Sequence, residues 1–272
     1  MMARSATFRQ FSDQTGFSKP VVIFLVVWTL IMIALPIVRA LASLEIFNTV
    51  VVVSVIMQAL AVLVIVGEHW GWKRTFWMAL GAAVITWALE AIGSATGFPF
   101  GAYDYTASLQ PQLAGVPLII PLAWLMMLPP AWAVAEVLVG HIPRWSFVLV
   151  SAAAFTAWDL FLDPQMVSWG YWVWDNPGGY FGIPWINYFG WFLSATVLTA
   201  ILRPQSVPVR PLLIIYSITW VLESIGLIVF FGLPGPGLVG FSAMGIFVVL
   251  AWRQVIRRRY ESPLEFNPEH NG

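Results

Sequence analysis

Eight stretches of the chain are each about as long and as apolar as a lipid bilayer is thick. They cover residues 20–41, 46–66, 75–96, 116–139, 145–162, 184–202, 211–231 and 238–252. A spanning helix needs about 20 predominantly apolar residues, so only the last, shortest stretch falls clearly below that length. Across the 272 residues only 10% are charged and 60% are hydrophobic, whereas a soluble domain carries about 25% charged residues. Inside hydrocarbon every backbone polar group must be satisfied within its own element. The sequence therefore predicts an all-α, polytopic integral membrane helical bundle of about eight transmembrane helices.

Basic residues set the expected orientation. With the amino terminus in the cytoplasm and every stretch crossing, the inner pieces hold Arg4, Arg9, Lys19, Lys73, Arg74, Arg144, Arg203, Arg210, Arg253, Arg257, Arg258 and Arg259. The outer pieces hold only Arg39. Both ends are thus expected in the cytoplasm, with a tail at 1–19, one transmembrane domain at 20–252 and a second tail at 253–272. The apolar run from residue 20 followed by Ala40-Leu41-Ala42 also has the form of a signal peptide with a small-residue cleavage site. It is long for that role, and an uncleaved helix is the preferred reading. The predicted location is the plasma membrane.

The interior of the sequence is repetitive. Ile85-Thr86-Trp87-Ala88-Leu89-Glu90-Ala91-Ile92-Gly93 returns as Ile218-Thr219-Trp220-Val221-Leu222-Glu223-Ser224-Ile225-Gly226, identical at seven of nine positions. Phe155-Thr156-Ala157-Trp158-Asp159 is a looser echo between them. The third, fifth and seventh stretches carry these acids, and all three run outward. Counting from Arg74, Arg144 and Arg210 at a rise of 1.5 Å per residue puts Glu90, Asp159 and Glu223 about 20–24 Å above the inner surface. The expected organisation is an amino-terminal hairpin followed by three parallel helix-pair repeats, at about 75–140, 145–203 and 210–252. Same-direction repeats gather matching residues around a common axis, so the three acids are predicted to share a cavity. Thr86, Glu90, Gly93 and Gly97 form one helical stripe, as do Thr156, Asp159 and Asp163 in the middle unit. The motifs Gly115-Val116-Pro117 and Gly182-Ile183-Pro184 read as matching helix starts, and the proline-rich stretch 117–130 as a kink.

An ionisable side chain at the centre of a bilayer costs about 2.5 kcal/mol or more. The bland reading of Glu90, Asp159, Asp163 and Glu223 is that they accept hydrogen bonds that tie helices together. The functional one is a general acid/base cluster, holding protons because no Lys or Arg lies at its depth. Aromatic residues gather on the same side: from Trp169 to Trp191, ten of 23 residues are aromatic. An interfacial belt explains part of this. A lining for a conjugated or isoprenoid ligand, able to shelter a carbocation, explains why the inner loops hold far fewer. On that reading Trp87, Trp158, Trp220, Tyr103, Tyr105, Trp172 and Trp174 bind substrate. Asp104 and Asp175, in matching outer loops, are either binding or simply solvated. Glu136 and His141 read as interfacial. The absence of Cys and the scatter of His69, His141 and His270 make a thiolate, disulfide or clustered metal site an unfavoured expectation. Equal numbers of basic and acidic residues, 13 each, give no net field for nucleic acid.

The strings Gly97-Phe98-Pro99-Phe100-Gly101-Ala102-Tyr103-Asp104-Tyr105, Gly115-Val116-Pro117-Leu118, Trp158-Asp159-Leu160-Phe161-Leu162-Asp163-Pro164-Gln165-Met166, Gly170-Tyr171-Trp172-Val173-Trp174 and Gly182-Ile183-Pro184-Trp185-Ile186-Asn187-Tyr188 resemble the bacterial and archaeal carotenoid-biosynthesis membrane proteins. Characterised members of that family are acyclic carotenoid hydratases of the γ-carotene and bisanhydrobacterioruberin hydratase type. The resemblance implies a lipid-soluble carotenoid substrate, water as co-substrate, no metal or redox cofactor, and room for association with other enzymes of the pathway. It carries over no catalytic residue. Hydrating a terminal isoprenoid double bond needs a protonated acid, a base to orient water and aromatic faces for a tertiary cation. Glu90 and Glu223 are the expected acid/base pair, with Asp159 or Asp163 completing a relay. Rival readings are a proton-coupled transporter or carotenoid-binding protein, and a membrane prenyltransferase suggested by Asp159-x-x-x-Asp163, or a cyclase of the same pathway.

Overall fold

A computed structural model describes residues 17–140, 144–202, 204 and 206–261. Eight of its helices are long and apolar enough to cross a membrane. In chain order they are α1 (Lys19–Leu41), α2 (Leu44–Trp70), α3 (Trp72–Thr96), α4 (Ile120–Val139), α5 (Arg144–Ser168), α6 (Trp185–Leu202), α7 (Val209–Ile225) and α8 (Pro234–Glu261). The chain is thus an all-α polytopic bundle with few strands. Residues 1–16 and 262–272, most of both expected tails, lie outside the described residues, as does His141.

Local chemistry sets the helix boundaries. Ser43 caps α2 by accepting from the Ile46 amide at 3.4 Å, and Gly97, at φ 75°, closes α3 in a left-handed cap. That cap ends the predicted Thr86–Glu90–Gly93 stripe one member early, because Gly97 is no longer helical. The eighth helix, expected to be short, runs from Pro234 to Glu261; its charged last turns had hidden its length from a hydropathy reading. The fifth likewise extends to Ser168. Pro117 does not start a helix. Val116–Pro117 (β3) pairs antiparallel with Gln112–Leu113 (β2), and α4 begins at Ile120 with Pro121 in its first turn.

Helix α4 is the axis of the bundle. It packs against α2, α3, α5, α7 and α8, and Trp124, Met127, Leu128, Trp132 and Val134 along it are fully buried. Its freedom from charge except Glu136 is what allows this, since lipid and protein are equally apolar and only packing and hydrogen bonds distinguish them. Helix α1 packs chiefly on α2 and is the most lipid-exposed span. At the end where α1 meets α2, the exposed Arg39 lies over the ring of Phe47 at 4.8 Å, a cation–π contact between the two helices.

The loops after α3 and α5 join across the bundle. Tyr103–Tyr105 (β1) pairs antiparallel with Trp172–Trp174 (β4), Asp104 opposite Val173. Because side chains alternate across a strand, this short ribbon turns Tyr103, Tyr105, Trp172 and Trp174 to one face and Asp104 and Val173 to the other. Beyond Ile225, α7 widens into a π turn over Gly226–Phe230, one turn after Glu223.

Candidate active site

Under the inward face of the ribbon lies a cavity, and one carboxyl from each of α3, α5 and α7 lines it: Glu90, Asp163 and Glu223. No Lys or Arg is among its lining residues. It gives the centre of a water-sized sphere about 90 Å³, several times the roughly 10–15 Å³ that holds one water. Its walls are otherwise mostly apolar or aromatic, with Ser54, Gln58, Gln165 and Asn187 the remaining polar side chains.

Glu90 is held by three donors. The Tyr103 hydroxyl at 2.5 Å and the Tyr105 hydroxyl at 2.9 Å both donate to Oε2, and Trp124 Nε1 donates to Oε1 at 3.2 Å. These donors satisfy both carboxyl oxygens and work against the cost of burying a charge there. The phenols respond in turn: burial, then the charge of Glu90, pushes both Tyr103 and Tyr105 well above the ordinary phenol range. Close packing of the loop makes the cradle possible. A side chain at Gly93 would strike Phe100 at 2.6 Å, and one at Gly190 would strike the Pro99 carbonyl at 2.7 Å, so only glycine on both α3 and α6 lets Phe100 seat beside Tyr103.

The middle acids form a pair. Asn187 donates to both Asp159, at 3.2 Å, and Asp163, while Trp172 Nε1 donates to Asp163 at 2.9 Å. The shared Asn187 amide brings the two carboxyls together, and Asp159 Oδ1 is buried with no hydrogen-bond partner among the described residues. Asp163 faces the cavity; Asp159, though it is the position that echoes Glu90, sits behind it. The third acid, Glu223, lies near Gln165, and its buried Oε2 has no hydrogen-bond partner among the described residues.

Aromatic rings close the chamber. Trp124 and Trp191 stack with centroids 4.6 Å apart and planes 2° from parallel, Phe155 packs on both, and Trp158 meets Trp191 edge-on. The indole N–H groups of Trp158 and Trp174 are buried without a partner, and both residues line the cavity.

The predicted binding residues therefore divide. Tyr103, Tyr105, Trp158, Trp172 and Trp174 line the cavity. Trp87 and Trp220 are not among the lining residues: their indoles turn aside to donate to the Leu113 carbonyl at 3.2 Å and the Phe241 carbonyl at 2.8 Å, anchoring neighbouring segments. Asp104 and Asp175 are exposed, Asp104 because strand alternation turns it away from its tyrosine neighbours. Residues that sequence reasoning passed over include Trp124, Trp191, Asn187, Gln165 and Gln58, which donates to Thr219 Oγ1 at 3.2 Å. A signal existed for the last three, since an amide inside an apolar span demands a partner; none distinguishes Trp124 from the other tryptophans. Among the described residues no three His, Cys, Asp or Glu side chains are grouped as metal ligands would be.

Comparison with known proteins adds three findings. The profile of a family described as "Carotenoid biosynthesis protein" matches residues 47–244. A bisanhydrobacterioruberin hydratase from Haloarcula japonica is 34% identical over 128 residues, which is 46% of this chain and 43% of that protein. The alignment thus spans less than half of the relative's length. No solved structure matches the chain.

Proposed function

The chain belongs to the carotenoid biosynthesis protein family, and from that premise we propose that it is a hydratase, adding water across the terminal double bond of an acyclic carotenoid end. The observation that carries this reading is the meeting of Glu90, Asp163 and Glu223 on one aromatic-walled cavity. Hydration of such an end needs one group to give a proton to the less substituted carbon and another to take one from water. The intermediate is a tertiary cation, and the net change is one water gained with no redox step.

The three carboxyls suit different parts of this. Glu223 lines the cavity and has an oxygen without a hydrogen-bond partner among the described residues, which suits a proton donor to carbon. Glu90, gripped by three donors, is the carboxylate that faces the cation and accepts a proton from the attacking water. The Asp159–Asp163 pair, bridged by Asn187, is the relay that returns a proton to the donor. The rings of Trp124, Trp158 and Trp191 present π faces and edges that stabilise positive charge. The free indole N–H groups of Trp158 and Trp174 hold the water, and later the new hydroxyl. Enclosure within apolar walls strengthens each of these electrostatic contacts and limits side reactions of the cation. The inward bias of Lys and Arg supports a position for this chamber in the outer half of the plasma membrane.

Expression in a lycopene-producing host tests the proposal. The expected product is a more polar pigment, heavier by one water, with its visible spectrum little altered. An isomer of unchanged mass would point to cyclisation, and unchanged pigment to a carrier; either result overturns the hydratase reading.

A further inference from the structure

The cavity is larger than the acid chemistry requires, and its extension has a different composition. From the carboxyls it runs beneath the α1–α2 hairpin, where Met32, Leu35, Val51, Val52 and Val55 line it, and along the first turns of α4, where Ala123 does. The one hydroxyl in this limb, Ser54, is tied to Met32 Sδ at 3.2 Å, so the limb offers an occupant no free hydrogen-bonding group. Its inner end is closed by Gln58, held by Met127 and Thr219. Val52, Val55 and Ala123 are only half-buried, which sets the open side of the limb between α2 and the start of α4. Trp87 clips the loop 97–119 to α3 through Leu113, and Asn48 clips it to α2 by donating to the Ser108 carbonyl at 3.3 Å.

We propose that this limb is the binding site for the chain of the substrate: a linear polyene without polar substituents lies along Val51, Val55 and Ala123, enters sideways from the lipid between α2 and α4, and presents only its terminal unit to the carboxyls. The inference rests on the hydratase reading for the identity of the reacting end, and adds where the remainder of the molecule sits. A carotenoid is far longer than the chamber, so most of it must leave the protein; an exit into lipid costs nothing for a hydrocarbon. The limb selects by width and by polarity. Small β-branched and methyl side chains leave a slot for a flat conjugated chain, and a hydroxyl on the part of the chain inside it would lack a partner.

The protein contains no Cys, so single-cysteine variants report without background. Val55→Cys and Ala123→Cys change little volume and leave the acids and their donors intact. Val53→Cys, on the exposed face of the same helix, where Val53 is 37% exposed, is the control. Each is purified in detergent and treated with a small membrane-permeant maleimide, with and without lycopene, and pigment hydration is followed in the same samples. Lycopene is expected to slow labelling at 55 and 123 by about tenfold, as burial under a bound ligand should, and to leave 53 unchanged. Labelling at 55 and 123 that ignores lycopene overturns the proposal. Protection without any hydrated product keeps the limb and removes the hydratase reading. Hydration without protection does the reverse.

Discussion

Glu90 and Glu223 sit in nearly the same nonapeptide, on the same face of their helices, yet the bundle treats them differently. Thr86 and Thr219 each bond back to the carbonyl four residues earlier, and Trp87 and Trp220 each reach a carbonyl of a later segment. The local string thus produces the same local structure twice. The two connections beyond it are unlike. After Glu90 comes a long aromatic loop that folds back and places two phenols on one carboxyl oxygen. After Glu223 comes a π turn and a tight loop that places none, so its Oε2 stays free. A single helical motif thus carries a carboxyl saturated by donors in one place and one with an unpartnered oxygen in the other, and the connecting loops made the difference.

The sharpest way to break this contrast is to neutralise each acid. Glu90→Gln and Glu223→Gln are each expected to lower the hydration rate about 10²–10⁴-fold, the usual range for a lost acid or base, at equal abundance in the membrane. Glu90→Gln is the more severe, since its amide N–H₂ would face phenol donors. Equal wild-type rates for both would remove these residues from the chemistry. Smaller losses are expected from the cradle. Tyr103→Phe and Tyr105→Phe each remove one of two donors to the same oxygen, so single losses of about tenfold and a double loss of about 10²–10³-fold are expected. The Tyr103 variant is the weaker enzyme, its bond being the shorter.

Alkaline stability separates the two regions without kinetics. The folded protein holds the Tyr103 and Tyr105 protons more tightly than an unfolded chain, whose phenols ionise near 10. Their contribution is complete below about pH 10 and declines as pH rises above it. The Tyr103→Phe/Tyr105→Phe variant should therefore lose less stability above pH 10 than the wild type, whereas Glu223→Gln should lose as much. The smallest effects are expected at the two tryptophans. Trp87→Phe and Trp220→Phe should each cost about 0.5–1.5 kcal/mol in thermal unfolding, one carbonyl hydrogen bond, with hydration changed by less than about threefold. A large loss of rate in either would give that indole a substrate-binding role after all.

Much of the fold was legible because hydrocarbon is an unforgiving solvent. Runs of about 20 apolar residues leave the backbone no alternative to a helix, and eight such runs became eight helices. Boundaries were less legible where a helix outlasts its apolar stretch, as α8 does on charged residues, or where proline serves a strand, as Pro117 does. The acids were legible because their cost in lipid makes each one conspicuous. Their partners were not. Nothing in Tyr103-Asp104-Tyr105 says which face turns inward until β4 pairs with it, and the same pairing decides that Asp104 faces outward. Asp159, the residue the repeat points to, gave up its place on the cavity to Asp163 because one turn of helix separates them and only packing chooses between them.

From the sequence alone come the membrane, the helices and the three buried carboxyls as candidates, since those follow from composition and period within single segments. The tertiary structure decided which oxygens are saturated and which are free, because a hydrogen bond between Glu90 and residues 13 to 34 positions away depends on how loops close over the bundle. Two copies of one motif can share every local preference and still differ in chemistry when their long-range neighbours differ.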